Sequence, residues 1–470
     1  MVKNWLEIDA SAPPRIETFD NDVLRNQVWY RGKPAELSQF FSQNDDGVGN
    51  TSFWGATSST GVSFRKIHSG IPALMVDTLA DIVCSDLLTV TAGDGETTRQ
   101  WNLLARENNF EHLLKRAVKT ALAEGDGAFK ISVDKRLSNF PVIEFYGASR
   151  VDYVYDRGRI SAVIFKTSYE HDRKLYRLRE AYTPNGVFYS LSGERGEVGL
   201  NSIPQTAELV DVVNHGRFMM AVPLMFDASA TREGRGRSLF DGKQGAFDGL
   251  DECISQWIDA LRDGRVKQYI PESMIPRNAE NGRLIRPNAF DSRYVATGTD
   301  MREDAVNQII TCQPEIRTSA LAETYSAFLE LCLQGILSPS TLGIDLKKRD
   351  NADAQREKEK TTMYIRNRLV RTLQETLPRL VNAVLQTAAS LDNPGCQLDD
   401  VAVAAEFGEF ANPSFESRLE SVGRAFSLGI MSAETVVEQL YGDTWTAEQK
   451  TDESKKLSSQ WISPAHRIDE

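Results

Sequence analysis

Apolar residues recur along this chain with two different periods, and the switches between them divide it. Ile71, Leu74, Met75, Leu79 and Ile82 fall at helical spacing, with Pro72 in the first turn, where its missing N–H is harmless, so a helix is predicted over Ile71–Leu87. Leu113, Leu114, Ala117, Val118 and Leu122 predict a second over Glu111–Glu124, and Ala35–Phe41 reads as a short one. Asn44–Gly61, rich in Gly, Asn, Ser and Thr, reads as an exposed arm. From Phe129 the period drops to two. Phe129–Val133, Pro141–Tyr146, Val151–Tyr155 and Ile160–Phe165 alternate as strands separated by turn residues, and Lys174–Arg179, Gly186–Leu191 and Ala207–Val213 extend the series. The first half is therefore an α+β unit.

Helical spacing returns over Leu239–Asp263. Phe247, Leu250, Ile254, Trp257, Ile258 and Leu261 form one face, while Asp248, Asp251, Glu252, Asp259 and Asp263 occupy much of the rest. Val266–Ile270 resembles a strand, and Pro271–Asp300 is polar and rich in turn residues. From about Thr318 a matching stripe of Leu321, Tyr325, Phe328, Leu329, Cys332 and Ile336 predicts a returning helix, so two similar helices flank a compact excursion. Ser338-Pro339 and Gly343 stop that helix, and Asp345–Asp350 is too polar to be buried unpaired, so LSPSTLGIDLKKRD must project into water. A long helix follows over Asp353–Ala389, its stripe continuing from Leu369 and Leu373 across Leu377-Pro378 to Val381 and Val384. The proline either kinks this helix or opens a second one. Ser414–Ser427, Ala433–Leu440 and Ala447–Leu457 read as short helices.

At 470 residues the chain exceeds what one core serves, so at least two packing units are expected. No uncharged run reaches the ~20 apolar residues of a spanning helix, and the N-terminus lacks an apolar signal core, which points to a cytosol-like compartment without membrane contact. The five cysteines stand singly, without a C-x-x-C pair, so buried thiols are expected in place of zinc or disulfides. The net charge of −12 is unevenly spread. Leu391–Glu470 holds fifteen acidic against six basic residues, whereas Asp345–Arg371 holds nine basic against five acidic. A generic nucleic-acid binder would show a broad basic face; here any contact with phosphates is local and weak. Enzyme-like signals are thin. Gly234-x-Gly236 lacks the P-loop lysine and the dinucleotide spacing, Asp94-Gly95-Glu96 lacks the ligands of a calcium loop and reads as a turn, and His68, His112, His171, His215 and His466 lie far apart. No catalysis, cofactor or metal is expected.

The run GRGRSLFDGKQGAFDGLDECISQWIDALRDGRVKQYIPESM resembles the first stem helix of a tailed-bacteriophage portal protein entering the clip. EIRTSALAETYSAFLELCLQGILSPSTLGID resembles that family's returning stem helix and the start of its tunnel loop, and NADAQREKEKTTMYIRNRLVRTLQETLPRLVNAVL its long helix. The resemblance covers the whole chain in the order of its elements, with sequence-level matches confined to about residues 220–390. It implies an α+β portal fold with a wing (1–238), stem helix (239–263), clip (264–313), returning stem (314–337), tunnel loop (338–352), long helix and wing (353–411) and a helical crown with tail (412–470). It also implies a twelve-fold ring at one capsid vertex, through which the terminase drives double-stranded DNA for packaging and through which DNA later leaves. The large terminase subunit, the major capsid protein and a head-tail adaptor would be its partners. On these positions Lys347, Lys348 and Arg349 either touch phosphates in the bore or pair with Asp345, Asp350 or Asp353. Asp248, Asp251 and Asp259 either line the channel, or face outward or pair with Arg262, Arg265 or Lys267 between subunits, and Trp257 packs the stem. The acidic C-terminal helices form a rim that repels packaged DNA or an ordinary solvated cap. Another oligomeric head-tail connector or minor capsid protein is the alternative; a coiled-coil stalk would need longer heptad runs than either stripe provides.

Overall fold

The computed structural model describes residues 19–43, 52–56, 64–213, 218–275, 277–278, 282–283, 294–298, 309–344, 352–392, 399–408, 415–428, 431–441 and 445–460. The chain is α+β and divides into two units, Met1–Phe407 and Gly408–Glu470. The first opens with α1 (Phe19–Arg31) and α2 (Pro34–Gln43), followed by α3 (Ile71–Ser85), β1 (Leu87–Ala92), α4 (Gly95–Glu107) and α5 (Phe110–Glu124). Asp94-Gly95-Glu96, expected to be a turn, starts α4 instead: the Asp94 carboxylate accepts the Thr97 N–H at 2.8 Å, satisfying a helix-end donor.

The alternating region builds two antiparallel sheets. One has the order β10-β2-β3, with β2 (Asp126–Ser132), β3 (Val142–Gly147) and β10 (Ala221–Met225). The other is a meander of β4 (Val151–Asp156), β5 (Arg159–His171), β6 (Lys174–Thr183), β7 (Gly186–Gly193) and β8 (Gly196–Val198). Its first two hairpins turn at Arg157-Gly158 and Asp172-Arg173, where both central residues have positive φ, the turn geometry that follows strand twist. Of the strand expected over Ala207–Val213, only β9 (Val212–Val213) pairs, with β7.

The α6 (Gln244–Asp263) and α7 (Thr318–Leu333) helices run antiparallel, since Gly249 abuts Phe328, Cys253 faces the Leu321 carbonyl and Gly264 abuts Ile316. Helix α6 starts five residues later than expected because Ser238 is drawn away: its hydroxyl donates to the Ala123 carbonyl at 2.6 Å and Asp241 accepts its N–H. Between the helices, β11 (Lys267–Pro271) lies parallel to β12 (Tyr294–Thr297) on one side and antiparallel to β13 (Ile310–Cys312) on the other. Helix α8 (Ala352–Asp392) is one helix of 41 residues with Pro378 inside it, so the proline does not open a second helix. A mid-helix proline costs about 3 kcal/mol. Leu373, Leu377, Leu380, Val381 and Val384, all without solvent exposure, hold the helix across it. Strand β14 (Val403–Phe407) then returns to pair antiparallel with β1, and Asn382 exchanges two hydrogen bonds with the Val401 backbone at 3.0 and 2.9 Å. The main core lies where α3, α5, α8 and the base of the hairpin meet.

The second unit packs α9 (Phe415–Ser427) and α11 (Ala447–Gln460) on α10 (Ala433–Tyr441). Helix α11 opens with a reciprocal cap between Thr446 and Gln449, while Tyr441 stacks on Trp445 with ring centres 3.9 Å apart. Cys253 and Cys332 are buried, as expected of lone thiols; Cys84 is partly buried, and burial pushes the Cys84 and Cys332 thiols up to about 12. Cys312 departs from the expectation, lying exposed on β13. Cys396 lies outside the described residues.

Candidate functional site

The hairpin of α6 and α7 has a buried base and a distal half in which no helix residue is buried. In α6 the buried side chains are Phe247, Leu250, Asp251, Cys253 and Ser255; from Gln256 outward none is buried. In α7 only Leu329, Cys332 and Leu333, at the base, are buried. Trp257 and Tyr325 meet edge to face at 6.4 Å above that base, as the stripes require. Beyond them Leu261, Val266, Met274, Val295, Ile309 and Ile310 are 39–61% exposed, around the hairpin's far end and its small sheet.

Two of the carboxylates expected on a channel or subunit face are consumed within the chain, which corrects that reading. Asp248 accepts from the Ser52 hydroxyl at 3.1 Å, the Phe53 N–H at 2.8 Å and the Trp54 N–H at 3.3 Å. Asp251 is fully buried; it accepts from Trp54 Nε1 at 3.0 Å and the Ser69 N–H at 2.8 Å, and it pairs with His68 Nδ1 at 2.6 Å. Residues 52–56, expected to be part of an exposed arm, are therefore clasped onto α6. Phe53 and Trp54 are buried, and Lys66 donates to the Trp54 and Ala56 carbonyls at 2.6 and 2.7 Å. The segment docks because two carboxylates offer acceptors to its backbone and indole while its aromatic rings join the main core, Phe53 against Phe64 and Trp54 against His68. His68 packs over Gly32, whose φ of 61° and lack of a Cβ admit the ring, and the far ring nitrogen Nε2 is enclosed with no hydrogen-bond partner. This His–Asp pair holds a loop, with both side chains shut away from solvent.

Asp259 belongs to the exposed half. It pairs with Arg262 at 3.4 Å, one turn on, and Asp263 pairs with Lys267 at 2.6 Å, so basic residues considered as partners across subunits have partners in their own chain. Exposed pairs of this kind contribute about 0–1 kcal/mol each. Lys347, Lys348 and Arg349 lie outside the described residues, as do His215 and His466. The preceding turn is anchored to α8: Thr362 accepts the buried Ser338 N–H at 3.0 Å and meets the Thr341 hydroxyl at 3.2 Å.

The Gly234-Arg235-Gly236 turn has a structural role. Arg235 forks onto the buried Asp126 at 2.9 and 3.0 Å, donates to the Val151 and Ala148 carbonyls at 2.7 and 2.9 Å, and lies 3.9 Å over the Phe19 ring. One guanidinium thus ties α1, both large sheets and the entry to α6. Sequence reasoning weighed this turn only as a phosphate loop; an arginine between two glycines, with a lone aspartate opening β2, was the available signal. Among the described residues no group of three or more His, Cys, Asp or Glu is placed to hold a metal ion, and no helix is long and apolar enough to cross a membrane.

No family model matches this chain, and no curated protein does. Solved structures similar to it include a chain of the virion of a native gene transfer agent particle, 12% identical over 94% of this chain and 95% of that one, with a TM-score of 0.40. Chains from the neck of the empty particle, computed with C6 symmetry, and of the native particle, computed with C12 symmetry, are 14% and 13% identical. Each covers 79% of this chain and 90% of its own, with TM-scores of 0.40 and 0.39. Likenesses of this size decide neither family nor function, which rest on the chain's own residues.

Proposed function

We propose that this chain is a subunit of a portal-type ring at the head-to-tail junction of a phage-like particle, a structural conduit for double-stranded DNA that carries out no catalysis. The observation that carries the reading is the antiparallel hairpin, rooted in the core at Phe247, Leu250, Leu329 and Cys332, with no fully buried side chain in α6 beyond Ser255. Six large apolar side chains exposed at one end of a rod mark an association surface, and copies of the same rod packed side by side around an axis cover it without adding new chemistry. The order of hairpin, loop and long helix is the order in which portal subunits supply stem, tunnel loop and the helix behind it. In such a ring the loop holding Lys347, Lys348 and Arg349 faces the bore, and the distal sheet faces the terminase and the head-tail adaptor. Negative-stain microscopy of the purified chain tests the reading. Rings with an axial hole are expected, twelve-fold in the assembled particle; a compact monomer or an open rod in every preparation removes the proposal.

A further inference from the structure

We propose that the outer face of the six-stranded sheet carries a cationic groove that takes the phosphates of a nucleic-acid backbone. The register places Lys166 of β5 directly opposite Arg179 of β6, Ser168 opposite Arg177, and Arg177 in turn opposite Ser192 of β7. Because side chains alternate across a strand, these residues share one face. With Arg150, whose guanidinium stacks 4.4 Å over the Tyr146 ring, they line a groove of about 630 Å3. Like charges directly opposite one another weaken a sheet, so a fold keeps them where something else neutralises them. Arg177 and Arg179 are exposed, and among the described residues neither guanidinium has an ion-pair partner. Asp152 holds Lys166 at 3.0 Å, and Asp20 is the acidic residue of the lining. On the opposite face Glu180 of β6 is buried and matched at 2.7 Å by Lys130 of β2, from the neighbouring sheet, which also lies 3.8 Å from Glu144. The buried inner charge is therefore matched, whereas the outer face leaves Arg177 and Arg179 without an ion-pair partner among the described residues, in a chain whose net charge is −12.

The lining selects the occupant. Guanidinium forks and serine hydroxyls match phosphate oxygens, which accept from several donors at once. None of the lining side chains is apolar, so the groove offers no pocket for the aromatic or aliphatic anchor by which an acidic protein segment would be held. The groove does not depend on the ring reading and stands on the register and charges of one sheet.

The full chain is titrated with a fluorescently labelled mixed-sequence DNA duplex, followed by anisotropy, at salt from about 50 to about 200 mM. Arg177→Glu with Arg179→Glu is expected to weaken binding by at least about tenfold and to flatten the slope of log K against log salt by about two. Arg177→Gln with Arg179→Gln removes the charge at similar size and is expected to move both quantities the same way, which serves if the Glu pair unfolds by circular dichroism. Unchanged affinity and slope in the Gln pair overturn the groove. Lys347→Ala with Lys348→Ala separates the groove from the channel: binding lost in that variant and kept in the Gln pair overturns the groove and leaves the channel standing. Binding lost in the Gln pair supports the groove whether or not the chain forms rings. Poly-glutamate competing as strongly as duplex at matched charge overturns the nucleic-acid assignment in favour of an acidic protein.

Discussion

A carboxylate shut away from solvent is stable only when its neighbours replace the water it has lost, and Asp251 has three such neighbours in Trp54, His68 and Ser69. Asp251→Ala strands all three, and a loss of about 3–5 kcal/mol is expected in guanidinium unfolding followed by circular dichroism; a loss below about 1 kcal/mol would show that the clasp is dispensable. A second expectation concerns Glu124, Asp241 and Asp248, each held above the ordinary carboxylate range, first by burial. A raised value means that the folded chain binds the proton more tightly than the unfolded one. Their contribution is therefore fully present below the unfolded value and lost as pH rises through the folded value. Glu36, Asp94 and Asp134, held below the range by hydrogen bonds, act only at lower pH, where their contribution disappears. The guanidinium midpoint should thus be higher at about pH 5.5 than at about pH 7.5, and a midpoint that stays level or rises from the lower to the higher pH would contradict the assignment. None of this was legible in the sequence. Asp248 and Asp251 sit off the apolar stripe of their helix, which periodicity reads as a solvent face, and the cover comes from Trp54, 197 positions away from Asp251.

Elements with a full apolar stripe were legible to within a few residues. Helices α3, α5, α7 and α8 and the meander from β4 to β7 lie where their periods place them. Helix α4 and strand β1 were missed because each offers the core too few apolar side chains to show a period: α4 buries Trp101 and Leu104, and β1 buries Ala92. Within the hairpin, the contact between α6 and α7 depends on the absence of a side chain. A Cβ added at Gly249 would collide with the Phe328 ring, whereas one added at Gly245 meets nothing within 4 Å. Gly249→Val is expected to lower stability by about 1–3 kcal/mol through overpacking, and Gly245→Ala to be neutral or slightly stabilising. Equal melting temperatures for the two variants would mean that the helices do not pack as described.

At the scale of the whole molecule, the α+β class and the stripes of both hairpin helices could be read from spacing alone, while the depth to which the hairpin is rooted could not, because burial depends on what returns to cover it. Trp257 stands where that cover ends, against Tyr325. Trp257→Asp adds a carboxylate to the boundary between rooted base and bare rod, and is expected to abolish rings in negative stain while leaving the far-ultraviolet circular dichroism of the monomer near that of the parent; rings of normal appearance would show that the rod's stripe is not an assembly surface. The pairing of β1 with β14 bears on how such a protein is made. The Thr89 hydroxyl donates to the Glu406 carboxylate 317 positions later, so at 5–20 residues per second the ribosome leaves β1 with an open edge for roughly 15 to 60 s before its mate is synthesised. A nascent chain of this kind carries an unpaired, sticky border through most of its own translation, and its yield should depend on how quickly elongation proceeds and on whether a chaperone shields that border until the last strand arrives.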